Sequence, residues 1–157
     1  MGLDLMTTLF LGVVDLPYVL AKNGKDANTS TGDVASFLEE DYGIMAFFVE
    51  NNADVIQSAV EESLLVAIDN IVAGAPMASP LDAACGTIES RFRQFLDNRE
   101  MDGKVPGVAT EASLNGYSNR FKDRKSKKGK GRKRVAVSRP SFIDSGQYQA
   151  SFKVWAE

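Results

Sequence analysis

Apolar side chains recur at helical spacing three times along the middle of this chain. In the first stretch Val34, Phe37, Leu38, Met45, Phe48 and Val49 fall three and four residues apart, one face of a helix with Tyr42 at its edge. Ser30 or Thr31 caps its start, and Asp33 suits the positive end of the helix dipole. Gly43 weakens its middle and Asn51-Asn52 ends it. In the second stretch Val55, Ile56, Ala59, Val60, Ser63, Leu64, Ala67, Ile68, Ile71 and Val72 repeat as i, i+1, i+4, i+5 until Gly74 and Pro76. At 1.5 Å per residue this helix is roughly 30 Å long. The pattern reads as a core helix, and its length also suits a seam between subunits. The third helix opens on Ser79-Pro80-Leu81-Asp82, with Ser as cap and Pro at the first position. Its stripe is Leu81, Ala84, Cys85, Ile88, Phe92, Phe95 and Leu96, with Glu89, Arg91, Arg93 and Glu100 off it.

The flanks read differently. Thr7–Val14 is β-branched and apolar and ends at Asp15-Leu16-Pro17, a strand, after which Lys22–Thr31 is a polar loop. Asp102–Gly107 is a loop, and Thr110 caps a short helix through Leu114 and Tyr117 to about Phe121. Val135-Ala136-Val137 resumes as a strand leading into Arg139–Glu157. There Pro140 enforces an extended lead-in, Asp144-Ser145-Gly146 makes a turn or helix cap, and a short amphipathic stretch finishes. The expected fold class is α+β: about three main helices packed on a small antiparallel sheet, with a basic loop and a C-terminal arm. The chain divides as one domain, with a strand and loop over 1–32, a helical body over 33–121, a basic loop over 122–134 and the C-terminal segment over 135–157.

Composition narrows the chemistry. The 157 residues include no His and one Cys, which excludes Ser-His and Cys-His nucleophile systems and the usual zinc sites. Cys85 sits on an apolar stripe and reads as a small hydrophobe. Nothing in the chain is apolar for the roughly 18 residues a membrane span needs, and Met1–Leu20, interrupted by Asp4 and Asp15, is a poor signal peptide. No cofactor is implied, and the expectation is a protein that is not an enzyme.

Charge is divided sharply. Residues 1–119 carry 6 Lys+Arg against 18 Asp+Glu, a balance of −12, whereas residues 120–157 carry 12 against 3, a balance of +9. The run Lys122–Arg134 has no apolar residue and cannot fold alone. Its Arg124, Lys125, Lys127, Lys128, Lys130, Arg132, Lys133 and Arg134 are candidates for contact with DNA or with an acidic protein surface, and this chain's own acidic part is one such surface. No aromatic interleaves the run, so base stacking is not expected of it. In the C-terminal segment Phe142, Ile143, Asp144, Tyr148, Phe152 and Trp155 are candidate interface anchors, though the aromatics among them also suit a core. Ile143-Asp144-Ser145-Gly146 matches the short signature of aspartic proteases, whose chemistry needs two such carboxylates brought together in a dimer. Gln147 follows the motif and the body is mostly helical, both unlike that class, so a structural turn is the plainer reading.

From Ile88 onward the order of features resembles the tail-completion and virion-morphogenesis proteins of the tailed-bacteriophage head–tail neck. The features are a helix with Arg91-Phe92-Arg93 at its centre, the Asp102-Gly103 loop, Pro106 and Thr110 before a short helix, and a basic stretch. The pattern closes on Ile143-Asp144-Ser145-Gly146 with Tyr148 and Ser151. Thr31-Gly32-Asp33-Val34-Ala35 opening a helix before Tyr42-Gly43-Ile44-Met45 is similar to phage proteins of this size. Ser145 stands where the family more commonly has Thr, and the Trp expected after the Asp-Gly loop is missing. The resemblance implies a structural virion protein assembled in the host cytoplasm. It would form a homo-oligomeric ring of six or twelve copies, a tail-completion or tail-terminator subunit joining the capsid portal to the tail. Its partners would be itself, adjacent neck, portal or tail-tube proteins, and packaged DNA through the basic loop, with no membrane involved. The alternative function is nucleic-acid binding through the Lys/Arg-rich loop; a more remote one is an aspartic protease dimer through Asp144.

Overall fold

Thr31 ties the first helix to the strand before it. In the computed structural model, which describes residues 7–17, 29–76, 79–109, 111–114, 140–143 and 146–157, its buried hydroxyl donates to the Val14 carbonyl (2.6 Å) and accepts from the Leu16 N–H (2.8 Å). Strand β1 spans Leu9–Val13, shorter than expected by three residues, and pairs antiparallel with β2, Phe152–Ala156. The register sets Phe10 opposite Trp155 and Leu11 opposite Val154. Because side chains alternate across a strand, Leu9, Leu11 and Val13 face the helices with Phe152 and Val154. Phe10 and Trp155 stack on the other face, ring centres 5.6 Å apart.

The first expected helix is two. Helix α1, Thr31–Tyr42, opens on a capping box in which the Ser30 hydroxyl accepts from the Asp33 N–H while Asp33 accepts from the Ser30 N–H. It ends at Gly43, whose φ of +59° only glycine adopts without strain, and α2 runs Ile44–Asn51. Glu39 secures the corner: its carboxylate accepts from the N–H groups of Met45 (2.7 Å) and Ala46 (3.1 Å), at the start of α2. Apolar spacing continues across Gly43, which is why the sequence reads as one element.

Helix α3, Ala53–Val72, is the long helix expected. Helix α4, Asp82–Asp97, starts later than its Ser-Pro signal suggests. Ser79-Pro80-Leu81 forms a turn instead, and the Pro80 carbonyl accepts from the Ser63 hydroxyl (2.6 Å), which ties that turn to α3. A four-residue helix α5 spans Glu111–Leu114; the rest of the helix expected to Phe121, the Val135–Val137 strand and the basic run lie outside the described residues. Gly146, with φ +75°, precedes a short helix α6, Gln147–Ser151, which passes directly into β2.

Helices packed on a small two-stranded antiparallel sheet make the fold α+β. Aromatic rings fill the centre: Phe92 stacks on Phe152 with centroids 3.8 Å apart, and Phe48 meets both Phe92 (5.1 Å) and Phe95 (5.4 Å) edge-on. Ile44, Ile88 and Tyr148 are fully buried beside them.

Candidate interaction surface

Only one line of α3 is packed as the core helix its periodicity suggests. Ala59, Ser63 and Ala67 are buried, whereas Leu64, Leu65, Val66, Ile68, Ile71 and Val72 are 42–82% exposed. The buried residues follow one narrow line of small side chains, and beyond it none of the described residues covers the second half. These six side chains leave roughly 600 Å² in water, at the top of the range for the largest apolar patch on a monomer. Asp69 is the one charged residue between Glu62 and Val72. No described helix, α3 included, is long and apolar enough to cross a membrane.

On another side of α3, its first half and α4 bound an open groove. One part, of about 500 Å³, is lined by Val55, Ala83, Gly86, Thr87, Ser90 and Gln94, with Arg91 at its rim. A second part, of about 260 Å³, shares Val55 and Thr87 and runs past Asp54, Ser58, Ala59 and Glu62. The Thr87 and Ser90 hydroxyls donate within α4, to the carbonyls of Ala83 (3.0 Å) and Gly86 (2.9 Å). Arg91 is held by both carboxylate oxygens of Glu100 at 2.7 Å. That bond holds the Glu100 carboxyl below its ordinary pKa and the Arg91 guanidinium above its own.

The C-terminal segment divides between core and surface. Tyr148 and Phe152, expected as interface anchors, are buried inside this chain, 2% and 0% exposed, and present no side chain to a partner. Burial pushes the Tyr148 hydroxyl well above the ordinary tyrosine pKa, with the Glu39 charge adding to it. Phe142 is partly buried against the Tyr42 ring at 5.1 Å, and Ile143 also packs partly on the core. Among the described anchors Trp155 alone is strongly exposed, at 42%. Asp144 and Ser145 of the protease-like motif lie outside the described residues, as do all eight candidate basic residues from Arg124 to Arg134; Gly146 serves as the cap of α6.

Glu89 is the residue that sequence reasoning misplaced. Expected off the apolar stripe, it is buried at 8% exposure between α4 and β2. One carboxylate oxygen accepts from the Val154 N–H (3.2 Å), and the other accepts from Lys153 Nζ (2.9 Å) and Arg93 (3.4 Å). The signal was present in the numbering. Cys85, Glu89, Phe92 and Leu96 are spaced four, three and four residues apart and therefore share one helix face.

Among the described residues no three His, Cys, Asp or Glu side chains gather as metal ligands would. Beside the strained turn at Phe142 (φ +66°), a cavity of about 10 Å³ between Phe95, Met101 and Ser141 has room for about one water. No protein family, no curated protein and no solved structure matches the chain.

Proposed function

We propose that this chain is a structural subunit of a homo-oligomeric ring in the head–tail neck of a tailed phage, of the tail-completion or tail-terminator type. The observation that carries the reading is the uncovered apolar half of α3. A soluble subunit that leaves six large aliphatic side chains in water gains most by covering them against another protein surface. The order of motifs from Arg91-Phe92-Arg93 to Asp144-Ser145-Gly146 supports the neck assignment, and the opposite balances of residues 1–119 (−12) and 120–157 (+9) give neighbouring copies opposite charges to set together. Binding of packaged DNA through Lys122–Arg134 fits the same ring, with the basic runs directed at its channel.

Light scattering on the purified chain at low and high salt tests this. A discrete oligomer near six or twelve copies is expected, with a central channel in negative-stain images. A monomer at both salts and at all accessible concentrations overturns the ring. Steeply salt-dependent binding of duplex DNA by such a monomer makes nucleic-acid binding the function instead.

A further inference from the structure

The exposed half of α3 is symmetrical about one residue. Ile68 is 55% exposed; Leu64 and Leu65 stand four and three positions before it, Ile71 and Val72 three and four after. At 3.6 residues per turn these five side chains fall within about a third of the helix circumference, with Ile68 at the middle of the strip. Spacings of three and four are those by which the side chains of one helix seat between those of another.

We propose that two copies of this chain pair along this strip, α3 against α3, antiparallel about a twofold axis at Ile68. The symmetry of the strip argues for that occupant. Turning a second α3 end for end about Ile68 sets Leu64 against Val72, Leu65 against Ile71 and Ile68 against itself. Every apolar side chain of the strip then meets another, and a surface that maps onto itself is what a twofold contact requires. Charge fixes the direction. Glu61, exposed three residues before Leu64, lies on the line of the strip. Parallel pairing would set the two Glu61 carboxylates side by side, whereas antiparallel pairing holds them roughly 20 Å apart, each at the rim in water. Asp69 is turned roughly 100° from Ile68 around the helix and stays in water as well. Pairing therefore strips no charge of its hydration. The area agrees: the five side chains leave roughly 500 Å² in water on each copy, so the pair buries about 1,000 Å², the size at which a specific contact begins.

A twofold contact closes on itself, so it makes pairs and not rings. The pairing goes beyond the ring reading and does not depend on it. Alone it gives a dimer; in a ring closed by other surfaces it joins two like rings.

Charges placed on the strip test the inference, because residue 68 is expected to face its own counterpart. Ile68→Arg and Ile68→Glu both change an exposed position, and far-UV circular dichroism checks that each stays folded. Each alone is expected to have half the parent's mass or less by light scattering. An equimolar mixture is expected to regain the parent's mass, because Arg then meets Glu across the axis. Leu64→Arg mixed with Val72→Glu is expected to do the same, which only the antiparallel register allows. If the charged variants keep the parent's mass, or if they lose it and neither mixture regains it, the pairing is overturned, and a parent of six or twelve copies leaves the ring standing. A parent that is a discrete dimer supports the pairing and overturns the ring. A parent that is monomeric at all accessible concentrations overturns both.

Discussion

The Glu89 carboxylate accepts a hydrogen bond from the backbone N–H of Val154, 3.2 Å away, and so closes the outer edge of β2 from α4. An edge strand normally leaves such donors to water or to another chain. Here an acid on a helix takes one of them, and its charge is shared with Lys153 and Arg93.

Glu89→Ala leaves the Val154 N–H buried without an acceptor, so the variant is expected to lose about 2–3 kcal/mol of unfolding free energy. Glu89→Gln keeps an acceptor oxygen for Val154 and gives up the charge, so it should lose less. Urea titration of both variants checks this. Equal losses would mean that the charge contacts, and not the edge amide, carry the stability.

The C-terminal segment belongs to the core before it belongs to any interface. Phe152 stacks on Phe92 at 3.8 Å, and Tyr148, Phe152 and Val154 are all buried. Phe152→Ala is expected to cost about 3–5 kcal/mol. Deleting Ser141–Glu157 removes β2 with those side chains and should abolish cooperative melting. A truncated chain that melts cooperatively at the parent temperature would refute this, and only then would the deletion report on assembly alone.

Much of the fold was legible in the sequence because one face of each element is buried and the other is wet. The period of α4 from Ala84 to Leu96 and the Ser30–Asp33 cap both appear where the residues indicate. What was not legible depends on long-range geometry. Periodicity shows that the face of α3 running through Leu64, Ile68 and Ile71 is apolar, but not whether this chain covers it. Gly43 permits a continued helix with a modest penalty or a left-handed break, and the Glu39 carboxylate capping Met45 and Ala46 goes with the break. The aromatic run in the last residues gave no sign of which members β2 would turn inward. That was decided by the register against β1, which sends Phe152 and Val154 to the core and Trp155 to solvent.

The Arg91–Glu100 pair should be visible in the acid limb of stability. The Arg91 hydrogen bond is the largest cause holding the folded-state carboxyl below its ordinary value of 4.5. The stability it adds is therefore fully present above pH 4.5 and is lost as pH falls through the lower folded value. Its side chains are only 23% and 26% exposed, so the contribution should be at the upper end for such pairs, about 1 kcal/mol. Arg91→Met is expected to lower stability at pH 7 by that amount and to flatten the decline below pH 4.5. Parallel pH profiles for parent and variant would rule the pair out as a source of acid sensitivity.

Trp155, the single tryptophan, reports on the sheet face directly. Its indole lies over Gly12, where an added Cβ would come within 3.1 Å of the ring, and it stacks on Phe10. Gly12→Ala must therefore displace the indole, and its emission should shift while the core remains folded. If assembly runs through the exposed apolar side chains of α3, the sheet face stays open. Acrylamide should then quench Trp155 equally in the assembled parent and in an Ile68→Arg variant kept monomeric by the charge it places on that face. Protection in the oligomer would instead place Trp155 and Phe10 in a second contact, and Trp155→Ala, which loses a ring pair worth about 1 kcal/mol, should then weaken assembly more than folding.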